Sequence, residues 1–222
     1  MVDEKRARAR ALAQRAVAEG RPTAWFEELY REAAEGRAIV PWDDRVANPQ
    51  LVEWLDGHAG RAPRGARTLD VGCGTGDNAA ELARRGLAVT AFDVSEAAVQ
   101  VARARFAEAA TFTTADATAL PAGWRGGFAL VVEVYTLQVL PPGPRAQAAR
   151  ELAAAVAPGG TLVVIARGRE PDEPEGQMPW PLTRAEVEAL AAHGLRRVEL
   201  ADFMDRESPP VRRLVATFER PA

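Results

Sequence analysis

The chain has 222 residues, 47% of them hydrophobic and 27% charged, enough for one domain with a sizeable buried core. A formal net charge of −3 leaves no basic footprint for nucleic acid, and no apolar run reaches the ~18 residues that a membrane span needs. The single cysteine, Cys73, excludes an internal disulfide or a multi-thiol metal site, and two histidines, His58 and His193, make a poor metal site.

The opening run MVDEKRARARALAQRAVAEG has helical composition and no apolar h-region, which points to a cytoplasmic chain. A helix is expected over Val2–Glu19, ending near Gly20–Pro22, and a second over about Ala24–Glu35, stopped by Gly36. Ile39–Pro49 is irregular. A third helix, about Pro49–Gly57, leads into a Gly60–Gly65 linker. Strands and helices then alternate: strand Arg67–Val71, helix Asp77–Arg85, strand Ala88–Asp93, helix Glu96–Ala109, strand Thr111–Thr114. Phe128–Val134 is an unbroken apolar run, as a central parallel strand buried on both faces requires. A helix over Arg145–Val156 stops at Pro158-Gly159-Gly160, and Thr161–Ala166 is the next buried strand. Gly168–Pro181, rich in Pro, Glu and Gly, reads as an extended loop. Thr183–His193 is a helix with a capping box at Thr183 and Glu186 and a C-cap at Gly194. Two strands, about Arg197–Phe203 and Val211–Arg220, close the chain as a hairpin. The alternation predicts a doubly wound α/β sheet.

The segment TLDVGCGTGDNAAELARRG, Thr68 to Gly86, is the most informative. A buried strand runs into a turn with Gly72, Gly74 and Gly76, where absent Cβ atoms let a ligand lie against backbone. The next strand ends in Asp93, placed to accept hydrogen bonds from a ribose diol. A dinucleotide site needs G-x-G-x-x-G with pyrophosphate on the helix N-terminus. Here the spacing is G-x-G-x-G, and Asp77 stands where the third glycine would be. Together with Asp70, that acid suits a ligand with a cationic centre and no phosphate. A nicotinamide-dependent oxidoreductase is therefore disfavoured.

DVGCGTG followed by AFDVSEAAV resembles motif I and the following acidic strand end of class I S-adenosylmethionine (SAM) methyltransferases. The resemblance implies a Rossmann-like sheet of seven strands in the order 3-2-1-4-5-7-6, the last antiparallel. Residues 1–60 would form an N-terminal helical cap and residues 61–222 the SAM-binding core of a single domain. It implies cofactor contacts at Asp70, Gly72, Cys73, Gly74, Gly76, Asp93, Val94, Asp116, Ala117 and Glu133. Asp93 would take the ribose, Asp116 the adenine amino group, and Glu133 the amino-acid end. Trp25, Phe26, Tyr30, Pro41-Trp42-Asp43, Pro49 and Trp54, with the late loop EGQMPWPLTRAEVEAL, resemble thiopurine, thiol and halide methyltransferases, and more distantly the tellurite-resistance enzymes. In those an aromatic folds over the cofactor and substrate cavity, which implies Trp42 first and Trp25 second. An indole face stabilises a sulfonium cation. The chain departs from the thiopurine pattern at Glu133-Val134, where those enzymes carry Asp-Arg.

The activity expected is methyl transfer from SAM to a small molecule, by a monomer or weak homo-oligomer with no nucleic-acid or membrane partner. Trp42, Tyr135, Gln138, Met178 and Trp180 are the candidate acceptor contacts. No histidine stands out as a general base, so a soft nucleophile (thiol, halide or chalcogen oxyanion) is expected. The alternatives are O- or N-methylation of a small metabolite and a non-catalytic SAM-binding protein. The segment before about Asp56 is expected to act as a mobile lid.

Overall fold

The computed structural model describes residues 2–61, 63–176 and 178–222, with the side chains of residues 2–6 left aside. Three helices come first: α1 (Val2–Ala18), α2 (Ala24–Ala34) and α3 (Pro49–Gly57). The alternating core follows as β1 (Arg67–Val71), α4 (Asp77–Arg84), β2 (Ala88–Asp93), α5 (Glu96–Phe106), β3 (Ala110–Thr114), β4 (Phe128–Val134), α6 (Pro142–Ala155) and β5 (Val156–Arg169). The chain ends with β6 (Leu182–Thr183), α7 (Arg184–Glu188), β7 (Arg196–Met204) and β8 (Arg212–Glu219). None of the helices described is long and apolar enough to cross a membrane.

The sheet runs β3-β2-β1-β4-β5-β8-β7, with the two-residue β6 paired in parallel to β5 off that path. β8 is antiparallel to both neighbours. The seven principal strands therefore take the expected order, and β6 is an addition.

Alternation along β4 shows why the run is unbroken. Val131 packs with Leu69, Val71 and α6 on one face, while Leu130 and Val132 pack with Leu51, Leu82 and Ala91 on the other. Both faces are covered, so Phe128, Leu130, Val131, Val132 and Val134 all join apolar clusters. A third cluster joins α1 and α2 (Leu12, Trp25, Leu29, Tyr30) to Ala98 of α5. The cap thus rests on the helix that follows the acidic strand end.

Two expectations shift. β5 does not begin at Thr161 but runs through Pro158-Gly159-Gly160 as an irregularity, with Phe128 opposite Val156 and Leu130 opposite Thr161. A Cβ on Gly160 would sit 2.8 Å from the Ala157 carbonyl and 3.0 Å from that of Phe128, so glycine lets the strand bulge instead of break. The helix expected over Thr183–His193 keeps its capping box and its left-handed Gly194 cap, but its second half, Ala189–His193, tightens to a 3₁₀ helix.

Candidate cofactor and acceptor site

After β1 the chain turns through Gly72, Gly74 and Gly76 with φ of +63°, +53° and +93°. Each glycine has its own neighbour. A Cβ on Gly72 would overlap the Thr136 hydroxyl, one on Gly74 would lie 3.0 Å from the Tyr30 hydroxyl, and one on Gly76 would lie 3.0 Å from Ala102 Cβ. The turn is pinned by the Cys73 N–H donating to Phe92 O at 2.8 Å and the Gly76 N–H to Cys73 O at 2.9 Å. The Cys73 side chain packs beneath it, and burial, then the charges of Asp93 and Asp70, push its thiol well up. It is a packing residue, not a thiolate nucleophile.

Three buried carboxylates surround this turn. Asp93 accepts from the Gly74 N–H (3.0 Å) and the Ser95 N–H (2.9 Å), so the ribose-acid position also holds the turn against β2. Burial raises its pKa to about 6 against those backbone donors. Asp70 is pushed up to about 8 by burial and then by Asp93, and its Oδ2 has no partner among the described residues. Glu133 accepts from the Thr136 N–H (2.6 Å) and the Leu137 N–H (2.9 Å), capping the turn after β4. Its Oε2 is buried without a partner among the described residues, and burial raises the carboxyl to about 7. Desolvated carboxylates of this kind favour a cation nearby.

The cap closes on the turn from above. Tyr30 lies on Gly74, and its hydroxyl accepts from Trp42 Nε1 at 3.1 Å. Trp42 is 41% exposed, with its ring edge-on to Trp25, Phe26 and Tyr30. Trp25 is buried, and its indole N–H is taken by Pro22 O at 2.9 Å, so it builds the cap. Glu27 accepts from the Ser95 hydroxyl (2.8 Å) and the Ala97 N–H (3.1 Å) at the N-terminus of α5. The Thr75 hydroxyl donates to Asp43 at 2.8 Å. Val139 and Met178 pack against the same cap cluster, bringing the loop after β4 and the late loop to it. Polar bonds thus tie the cap to the turn and to α5 in this structure.

The other candidates scatter around this centre. Val94 is exposed beside Asp93, and Ala117 is buried. Asp116 is exposed, its Oδ1 accepting from the Thr118 N–H and hydroxyl at 2.7 Å each in a local turn. Asp77 is already charge-paired, Arg105 of α5 holding both its oxygens at 2.6 and 2.7 Å. Gln138 is buried and accepts from the Arg167 N–H (2.7 Å), while its carbonyl takes the Trp180 N–H (2.8 Å). It ties the late loop to β4 and β5. Tyr135 is half-buried in a left-handed conformation with φ +65°, uncommon for a bulky residue. Sequence reasoning missed Glu27, Asp43 and Thr136 as the links between cap, turn and β4. Glu27 and Thr136 carry no motif, and Asp43 was only the tail of an aromatic signal.

Two surface clefts lie away from this centre. One of about 360 Å³ sits at the N-terminal ends of β4 and β5, lined by Ala129, Pro158 and Gly160. One of about 210 Å³ lies between α6 and the 3₁₀ helix at His193. Neither borders the glycine turn.

The residues fit SAM. Three glycines at positive φ give the tight turn that lets a ligand approach backbone, and the carboxylates around it suit a ligand carrying a sulfonium and an ammonium. Asp93 would hold the ribose and the turn the amino-acid part. When bound, SAM supplies a methyl group already activated on sulfur.

Known proteins agree. The methyltransferase domain profile matches residues 68–160. The 2-heptyl-1-hydroxyquinolin-4(1H)-one methyltransferase of Mycobacteroides abscessus is 26% identical over 173 residues, 75% of this chain and 74% of that protein. A ubiquinone biosynthesis O-methyltransferase from Azotobacter vinelandii is 35% identical over 128 residues, 56% of this chain, which spans about half (53%) of that relative. The structure from work on the conversion of a disulfide bond into a thioacetal group during echinomycin biosynthesis shares the fold, with TM-score 0.72 and 23% identity over 88% of this chain and 93% of that one. Residues 68–160, under half of the chain, thus match a methyltransferase domain, and the comparisons support SAM as its cofactor.

Proposed function

We propose that this enzyme methylates an acceptor that arrives already ionised, foremost an acidic hydroxyl on a small aromatic or heterocyclic molecule. The observation that carries this reading is that, among the described residues, neither histidine lies at the turn and the carboxylates around it are buried. His58 stacks on Trp54 at 4.8 Å and contacts Trp54 O and Glu199, and His193 lines the distant α6 cleft. Asp93 and Glu133 already accept backbone N–H groups. A neutral alcohol would need its proton removed in the transition state, and the two unpartnered carboxylate oxygens near the turn, on Asp70 and Glu133, are buried rather than presented to an acceptor. An ionised oxygen needs only alignment with the methyl group, and orientation supplies up to ~7–11 kcal/mol in favourable cases. The relatives that act on a hydroxyquinolone and in ubiquinone O-methylation support an oxygen acceptor.

The aromatic surface at Trp42 favours a second reading, the soft nucleophile: a thiolate, halide or chalcogen oxyanion. These too need no base. The test is S-adenosylhomocysteine formation with acidic phenols and hydroxyquinolines, thiols, iodide, tellurite, aliphatic alcohols and amines, each across pH. For oxygen acceptors kcat/KM should rise with the acceptor's own ionisation. Turnover confined to thiols, iodide or tellurite selects the second reading. Efficient turnover of aliphatic alcohols, with a pH profile common to all of them, would place a base on the protein and overturn both.

A further inference from the structure

Beside Tyr135 lie two arginines, the buried Arg213 and the half-buried Arg167. We infer that Arg213 and Arg167 form an oxyanion-binding subsite that holds the acceptor next to Tyr135. This rests on the methyltransferase reading and names the acceptor's required group: a carboxylate or an ionised ring oxygen.

The location comes first. Thr136 abuts Gly72 of the turn, Tyr135 precedes it, and the Arg213 guanidinium carbon is 5.3 Å from the centre of the Tyr135 ring. Arg213 of β8 pairs in register with Arg167 of β5, at the carboxyl end of the parallel strands where ligands of such sheets bind.

The chemistry comes next. Arg213 is only 2% exposed. Its Nε donates to Asp205 Oδ2 at 2.6 Å and its Nη2 pairs with Glu207. Asp205 is itself fixed by the Val211 N–H (2.8 Å) and the Glu207 N–H (3.0 Å), so the guanidinium is held by an ordered turn. Nη1 has no partner among the described residues. A buried, unpaired guanidinium nitrogen is costly, and oxygen is the acceptor its planar N–H pair fits best. Glu207 is over half exposed, so water screens its charge, and Asp205 is the buried counter-charge. Arg167 makes no side-chain ion pair among the described residues and supplies the unbalanced positive charge. The strained backbone of Tyr135 marks the same spot. Burial raises the Tyr135 phenol, opposed by Arg213, Asn48 and Arg167, so it stays protonated at neutral pH and able to donate.

The test uses the full chain with S-adenosylhomocysteine present and small probes read by calorimetry. The probes are benzoate and 4-nitrophenolate, each against a neutral isostere, benzamide and nitrobenzene. The expected result is about tenfold tighter binding of each anion than of its isostere. Arg167→Gln should reduce that preference several-fold while leaving benzamide and S-adenosylhomocysteine affinities unchanged. Arg213→Lys, which keeps a charge for Asp205, should lose most of it. Should Arg213→Lys fail to fold, Arg167→Gln carries the test alone. Equal binding of benzoate and benzamide by a wild-type protein that binds S-adenosylhomocysteine overturns the subsite. So does an anion preference untouched by Arg167→Gln. A wild-type chain that does not bind S-adenosylhomocysteine defeats the cofactor reading, and the inference with it.

Discussion

Gly74 and Tyr30 form the contact on which the cap's placement over the turn depends, and a pair of substitutions isolates it. Gly74 has φ +53°, where an L-residue costs ~1–2 kcal/mol. A new Cβ would also sit 3.0 Å from the Tyr30 hydroxyl, inside ordinary contact, but 4.0 Å from Tyr30 Cζ, which is comfortable. Gly74→Ala therefore carries two costs, backbone strain and displacement of a buried tyrosine. Tyr30→Phe alone removes the acceptor of the Trp42 indole N–H, worth about 0.5–1 kcal/mol because Trp42 is partly in water. In the double variant the steric cost vanishes and the backbone cost stays. The double should be more stable than the sum of the singles by ~1 kcal/mol, within the range for contacting residues. Urea denaturation of the four proteins, with S-adenosylhomocysteine affinity alongside, measures it. Strict additivity would mean that Tyr30 does not rest on Gly74 and that the cap sits elsewhere in solution.

Asp93→Ala should weaken SAM binding by ~1.5–3 kcal/mol by calorimetry, the scale of hydrogen bonds to a charged group; its Gly74 and Ser95 bonds make some loss of stability an expected companion. Glu27→Ala removes two bonds at the α5 N-terminus and should speed hydrogen exchange in α2 well before the core responds. Asp93 and Asp70 have folded pKa values raised to about 6 and about 8. Their stabilising contribution is thus full below pH ~4 and is lost as pH rises through those values, so the ligand-free protein should lose melting temperature between pH 5 and 8. A cationic ligand favours the ionised forms, so SAM affinity should fall as pH drops through about 8 and then about 6; a melting temperature and affinity both flat across this range would count against the buried acids. Gly76→Ala should destabilise without the Tyr30 coupling, because its Cβ meets Ala102 and Phe106 instead, as a cycle with Tyr30→Phe would show.

The core was legible because its signals are local and redundant. The unbroken FALVVEV run could only be a doubly covered strand, and Gly72, Gly74 and Gly76 between a strand and a helix could only be a tight turn. Pro158-Gly159-Gly160 was misread because the same residues that stop a helix also let a strand bulge where a neighbouring carbonyl comes close. The two residues of β6 are too few to leave a periodicity. The cap's docking was invisible for another reason. Glu27 reads as one more acid on an amphipathic helix, and only the fold brings it to Ser95, 68 positions away. Arg213 likewise reads as an ordinary strand residue until Asp205, Glu207 and Tyr135 surround it. Asp116 was located by resemblance, and the structure shows its local bonds to Thr118 alone.

The most direct measurement is a crystal structure of the S-adenosylhomocysteine complex. The account predicts the ribose hydroxyls on Asp93, the amino-acid part along Gly72–Gly76, and the sulfur facing the space between Trp42 and Tyr135. A nucleoside bound away from Asp93, or a sulfur turned from that space toward the sheet interior, would contradict it.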